Sequence, residues 1–378
     1  MKKYYKNEIL FLFGLWRIWL FAVAFLAVIA IPAFGGRFPY ANNQLMNTGL
    51  PAWVWGFGNF DGVHYLRLVQ TGYEGSKFSQ AFFPLYPLFL KLTTVGNYYL
   101  LSALLLTNLI FLAALYLFYR LLRLDWDKKT SLKTIGLLLA FPTSYYFGAI
   151  YSESPFLALV VLSLLLMRQK NFWVAGMIAA LASATRVVGL MLVPVLLIEA
   201  WPVLVGSKSV AGRIKAAIGL LLAPLGALLY ILYLQVSFAN PLYFLNAQPE
   251  FGAQRSDFIV LLPQVLFRYL KMLLSVPVYS LTYLNVSLEL LFTVTPLLAL
   301  GLFYKKIRFS YWILMLGFLL MPTLTGTFSS MPRYALMTFL MLPVVTLWLG
   351  RYYKVALMVL ILLQAILLSL FVRGYWVA

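Results

Sequence analysis

The stretch Tyr98-Tyr99-Leu100-Leu101-Ser102-Ala103-Leu104-Leu105-Leu106-Thr107-Asn108-Leu109-Ile110-Phe111-Leu112-Ala113-Ala114-Leu115-Tyr116-Leu117-Phe118-Tyr119-Arg120 decides the fold class. It carries no charge before Arg120, and as a helix it is long enough to cross the roughly 30 Å hydrocarbon core of a bilayer. Backbone groups in lipid must be satisfied internally, and the run lacks the alternation of a barrel strand, so a helix is the form it takes. Working outward, comparable runs recur near 9–34, 133–150, 152–168, 172–187, 188–206, 213–237, 284–304, 309–327, 333–350 and 354–373. The chain reads as one all-α polytopic membrane domain over 1–378, with about 11 transmembrane helices.

Composition agrees. Of 378 residues, 63% are hydrophobic and only 10% charged, which excludes an ordinary soluble protein. The net charge of +19 would suggest nucleic acid in a soluble chain. Here lysine and arginine gather in short segments instead: Lys2, Lys3 and Lys6, Arg120 to Lys133, Arg168 with Lys170, Lys208 to Lys215, Lys305 to Arg308, and Arg351 with Lys354. These are topology signals and contacts for membrane lipids, so no nucleic-acid partner is expected. Placing them in the cytoplasm makes 35–97 and 238–283 long outer loops, with amphipathic pieces such as Leu262 to Ser275 lying along the membrane. Pro84 and Pro87 argue against a span over 79–96. The apolar run ending near Phe34 is too long for a cleaved signal peptide and is expected to be an uncleaved first span. Asp125 and Asp127 fall inside, as solvated loop charges.

One polar island interrupts this sequence: Phe60-Asp61-Gly62-Val63-His64-Tyr65-Leu66-Arg67-Leu68-Val69-Gln70-Thr71-Gly72-Tyr73, followed by Phe82-Phe83-Pro84-Leu85-Tyr86-Pro87. It joins one of the chain's ten carboxylates to its only histidine. An aspartate ahead of an apolar stretch ordinarily caps a helix. The functional alternative is a general base, because partial desolvation at a membrane boundary raises a carboxylate's proton affinity. If 60–70 is helical, His64 and Tyr65 lie one turn from Asp61 and share its face. His64 is then a second candidate catalytic residue, and Tyr65, Arg67, Tyr73, Phe83 and Tyr86 are candidate substrate contacts. Glu153, between two apolar spans, must be solvated, paired or used. Arg186, amid apolar sequence, needs an anion, a carboxylate partner or water nearby, and Arg333-Tyr334 offers a second cation at the same depth; a lipid phosphate would satisfy either arginine, and snorkelling to headgroups is the plain alternative. No phosphate-binding loop or dinucleotide fingerprint occurs, a lone histidine does not make a zinc site, and there is no cysteine. No cofactor is expected, and a divalent metal is unsupported.

These motifs resemble the PIG-V family, the mannosyltransferases of glycosylphosphatidylinositol synthesis and their bacterial relatives. The resemblance rests on Phe60-Asp61-Gly62-Val63-His64-Tyr65 through Gly72-Tyr73, and on Phe82 to Pro87. Shorter matches follow in order: Tyr151-Ser152-Glu153-Ser154, Thr185-Arg186 with Gly189, Asn240-Pro241, Ala247-Gln248, Arg333-Tyr334 and the terminal Tyr375-Trp376-Val377-Ala378. Two positions depart from the family: Phe60 stands where Trp is usual, and Val188 replaces a common Asn, so no polar contact is expected there. The resemblance implies a GT-C-type bundle, expected in a bacterial plasma membrane, and the basic loops place the candidate site residues, and so the active site, on the outer face. It implies a polyprenyl-phosphate sugar donor, mannose as the sugar, and a glycan, lipid or protein acceptor. It further implies Asp61 as catalytic base and Gln248 among the substrate contacts.

Two rivals predict different features. A lipid or solute transporter would carry charges near mid-membrane and broken helices in repeats, and a scaffold would tolerate loss of Asp61.

Overall fold

The computed structural model describes residues 4–36, 38–76, 78–252 and 255–377; Lys2, Lys3 and Ala378 lie outside them. Among the described residues every regular element is a helix. Six stretches are long and apolar enough to cross a membrane: Asn7–Ala30, Tyr99–Leu122, Val187–Gly206, Val210–Phe238, Leu281–Leu302 and Met331–Val372. The shorter apolar helices Phe172–Thr185 and Phe309–Thr323, together with Glu153–Arg168, fill out the bundle. Each of the eleven stretches read as a span carries helix, and 79–96 holds a 3-10 turn at Ser79–Ala81 and the nine-residue helix Leu85–Thr93, too short to cross. Leu262–Ser275 is an amphipathic helix with Phe267 and Leu274 exposed.

The stretch 133–150 is not one continuous helix. Lys128–Ala140 stops before Phe141, whose ψ of 135° is extended, and a 3-10 turn follows at Ser144–Gly148. Pro142 is the cause: it disfavours helical backbone in the residue before it and lacks an N–H of its own. The break carries Tyr145, Tyr146, Tyr151 and Glu153 into the interior, where all four are buried. Met331–Val372 also cannot be one crossing. Arg333 bonds Asp61, while the backbone carbonyls of Phe371 and Val372 accept from the Asn59 amide, so both ends meet the same turn. The chain reverses between them, at Gly350 with φ +47°.

The two ends of the bundle are built differently. One end carries the basic loops, tied by surface pairs: Arg168 with Asp125 at 2.7 Å, Arg308 with Glu199 at 3.3 Å and Lys128 with Glu8 at 2.9 Å. Both of its aspartates are exposed, as expected of solvated loop charges, and each is bonded. Asp125 accepts both terminal nitrogens of Arg168, which holds its carboxyl below the ordinary value, and Asp127 caps Lys128–Ala140 by accepting from Thr130 N. The opposite end holds the polar island.

Small residues let one corner pack with backbones nearly touching. A Cβ on Gly176 would stand 2.1 Å from the Gly219 carbonyl oxygen, and one on Gly226 would stand 1.8 Å from that of Ala180. This close approach of small residues is the usual way helices associate where lipid offers no hydrophobic drive. Because the Phe172–Thr185 helix ends at Arg186, the corner fixes where that arginine emerges. Gly226→Ala is expected to cost about 1–3 kcal/mol, the range for overpacking a tight contact. Thermal unfolding of the purified variant should show a lowered midpoint; an unchanged midpoint would mean that the corner is looser than described.

Candidate active site

The site begins with a strained turn. Phe60 has φ +57° and ψ −111°, a region costly for a bulky residue, and it immediately precedes the helix Asp61–Thr71. The turn is held from two sides. Asn59 Nδ2 donates to the carbonyls of Phe371 and Val372 at 2.8 and 3.0 Å. The Tyr151 hydroxyl donates to the Asn59 carbonyl at 2.9 Å and accepts from Asp61 N at 3.2 Å. The Asp61 side chain makes no capping bond, so its ordinary helix-start role does not apply. It turns instead to Arg333, which follows another positive-φ residue, Ser330 at φ +70°.

Four charged side chains form one cluster. Arg333 Nη1 bonds Asp61 Oδ2, Arg186 Nη1 bonds Glu153 Oε1, and Arg333 Nε lies 3.3 Å from the same Glu153 oxygen without hydrogen-bond alignment. Two arginines thus balance two carboxylates. Glu153 is the innermost, with 1% side-chain exposure, and Asp61 the most open, with 21%. Aromatic faces seat the cations: Tyr146 and Tyr151 lie 5.6 and 5.4 Å from the Arg333 guanidinium, and Tyr334 lies 5.0 Å from that of Arg186. Burying charges at this depth is costly unless each is paired, which this arrangement achieves.

The balance changes the expected chemistry of Asp61. Burial pushes its carboxyl up, as the sequence suggested, but the Arg333 guanidinium bonded to it, with Arg255 adding, leaves it below the ordinary aspartate value. Asp61 is therefore an ionised, hydrogen-bond-accepting carboxylate at neutral pH, not a group of raised proton affinity. His64 is stacked on Phe82 at 5.2 Å, with Tyr40 and Phe251 edge-on at 5.7 and 5.3 Å. Burial holds its imidazole below the ordinary value against the pull of Asp61, so it is neutral at pH 7, and its buried Nδ1 has no partner among the described residues.

Above the cluster opens a cavity of about 1040 Å³. Asp61, His64, Tyr65, Phe83, Arg186, Gln248, Arg333 and Tyr334, all expected from the sequence, line it. Four expected residues do not. Glu153 sits beneath, pairing the arginines. Tyr86 is buried with its hydroxyl 2.7 Å from Thr107 Oγ1, edge-on behind Tyr65. The Tyr73 hydroxyl donates to the Phe82 carbonyl at 2.6 Å, so it braces the aromatic wall from outside. Arg67 donates to the Gly75 carbonyl at 3.3 Å and lies over the Tyr40 ring. Val188 lines the cavity where a polar residue is usual, adding an apolar patch. Arg186 and Arg333, for which a phosphate and a carboxylate partner were both open, are paired with carboxylates.

Sequence reading missed Arg255, which lines the cavity and donates to Gln248 Oε1 at 3.2 Å and Ser330 Oγ at 3.3 Å. The available signal was the second polar run, Gln254-Arg255-Ser256-Asp257, in an outer loop otherwise apolar. It also passed over Ser152, whose Oγ accepts from the Tyr65 hydroxyl at 3.0 Å.

The profile of the family described as Mannosyltransferase (PIG-V) matches residues 5–244, well over half of the chain. The match contains Asp61, His64, Glu153 and Arg186, and ends before Gln248, Arg255 and Arg333. No curated protein matches the sequence at a significant level. The chain belongs to the PIG-V mannosyltransferase family, and it is a membrane-embedded glycosyltransferase.

Proposed function

We propose that this glycosyltransferase moves mannose from a polyprenyl-phosphate donor to an acceptor hydroxyl, with Asp61 as the base. One observation carries the reading: an ionised carboxylate, the most open member of a neutralised charge cluster, lines a large cavity beside an aromatic wall. In the step, the acceptor oxygen attacks the anomeric carbon and its proton passes to the free lone pairs of the Asp61 carboxylate. The bond from that carbon to the phosphate oxygen breaks on the opposite face, and the phosphate leaves with the bonding electrons. His64, neutral and with an Nδ1 unpartnered among the described residues, can donate to or accept from a sugar hydroxyl, while Phe82 and Tyr40 give the sugar an aromatic surface. Tyr65, bonded to Ser152, holds the floor of the pocket. The gathering of Asp61, Glu153, Arg186 and Arg333 in one cluster, at the end of the bundle opposite the basic loops, supports this reading over a transporter.

Asp61→Asn keeps the shape of the side chain and removes the basic oxygen. Transfer of radiolabelled mannose from polyprenyl-phosphate mannose, measured in membranes with wild-type amounts of folded protein, should fall by about 10²–10⁴-fold. Near wild-type turnover would remove Asp61 from the role.

We also propose that the cavity faces away from the cytoplasm, opposite the basic loops. A lipid-linked donor fits that side, because the activated sugar must be carried where nucleotide sugars are absent. The chain has no native cysteine, which makes accessibility simple to read. A cysteine at the exposed position Glu74 should react with an impermeant maleimide in intact cells, and one at exposed Lys129 should react only after lysis. The reverse pattern would overturn the orientation.

A further inference from the structure

Among the described residues three arginines line the cavity, and only two are neutralised. Arg186 and Arg333 are bonded to Glu153 and Asp61. Arg255 has neutral partners, Gln248 and Ser330, and among the described residues no carboxylate comes within ion-pair distance of it. Glu250 and Asp257 also line the cavity, but both are exposed to water and neither pairs with Arg255. A guanidinium has five donors, and two here are satisfied at long range by neutral oxygens, so Arg255 retains donor capacity and a full positive charge.

The wall beside it has a second property. Phe258 and Ile259 line the same cavity yet are 69% and 72% exposed, and Leu261 next to them is 66% exposed. The strap that bears them is fixed by backbone bonds, Ser256 N to the Thr325 carbonyl at 2.8 Å and Val260 N to the Leu324 carbonyl at 2.9 Å. It runs directly into the amphipathic helix Leu262–Ser275, whose exposed Phe267, Leu270 and Leu274 continue the apolar surface. A cation inside a pocket whose exposed apolar wall leads into the apolar face of an amphipathic helix matches a ligand with an anionic head and a hydrocarbon tail.

We infer that Arg255 binds the phosphate of the lipid-linked donor and that its polyisoprenoid chain leaves the cavity across Phe258 and Ile259 into the bilayer. The inference rests on the donor reading above and transfers the phosphate-binding role from Arg186 and Arg333, whose charge the carboxylates consume, to a residue beyond the family match. It also gives Gln248 a purpose, as the side chain that orients the Arg255 fork.

The test uses full-length protein in nanodiscs and measures competition against a radiolabelled long-chain polyprenyl monophosphate. The probes are that lipid, the matching polyprenol, isopentenyl phosphate and inorganic phosphate. Wild type should prefer the polyprenyl phosphate to the polyprenol. Arg255→Gln should weaken the polyprenyl phosphate by about 10- to 100-fold, the loss expected for hydrogen bonds to a charged group, and leave the polyprenol unchanged. Phe258→Ser combined with Ile259→Ser should weaken the long-chain phosphate and not isopentenyl phosphate. If Arg255→Gln binds the lipid like wild type, the phosphate assignment is wrong while the donor reading stands. If inorganic phosphate competes as well as the lipid, the apolar wall is no lipid path. If wild type shows no preference for the phosphorylated lipid, the donor reading fails and takes this inference with it.

Discussion

The structure depends on a charge cluster in which Arg333 reaches both Asp61 and Glu153, and Glu153 reaches Arg186. Four segments far apart in the chain meet there: the start of Asp61–Thr71, the start of Glu153–Arg168 after the Pro142 break, the end of Phe172–Thr185 and the short helix Met331–Tyr334. Removing one member would leave an uncompensated charge in a buried place, a loss of roughly 3–5 kcal/mol in comparable cases. The cluster therefore constrains the bundle as well as the chemistry. It lets an ionised carboxylate stand at the edge of an apolar interior, where a lone aspartate would take up a proton.

Around this cluster the backbone is arranged to aim particular atoms. Phe60 and Ser330, both with positive φ, lie just before the short helical segments carrying Asp61 and Arg333. Strain of this kind persists only where surrounding contacts over-determine it. Asn59 and Tyr151 supply those contacts for the first turn, and Arg255 bonds Ser330 in the second. The aromatic wall of Tyr40, His64, Phe82 and Phe251 then forms one side of the cavity, braced from behind by the Tyr73 hydroxyl. Chemistry and shape are thus fixed by different residues: charges set the floor, and rings set the side.

Much of this was legible in the sequence, for a physical reason. Spans advertise themselves because lipid forbids unsatisfied backbone, and the island stood out because charge is so scarce in this chain. The Leu262–Ser275 helix was legible from its two faces. What escaped was set by distant contacts. The sign of the shift at Asp61 depends on Arg333, 272 residues away, so desolvation alone gave the wrong direction. That Arg186 and Arg333 need an anion is legible in the sequence, but nothing local to them identifies Glu153 and Asp61 as the partners. Arg255 was overlooked because its meaning comes from lacking such a partner. The break at Pro142 is readable in the sequence from the proline and the Thr143-Ser144 pair after it, although the run on either side is apolar enough to resemble one span.

The central claim is that Arg333 holds Asp61 in its ionised form against the cost of burial. It is tested most directly by the pH dependence of mannosyl transfer in Arg333→Gln compared with wild type. In wild type the carboxyl lies below the ordinary aspartate value, so transfer should keep its ionised base well into the acid range. With the guanidinium gone, burial is the largest remaining influence and raises the carboxyl, so the acid limb of kcat/KM should move to higher pH, toward neutrality. An acid limb at the same pH in both proteins, with transfer still measurable in the variant, would contradict the account.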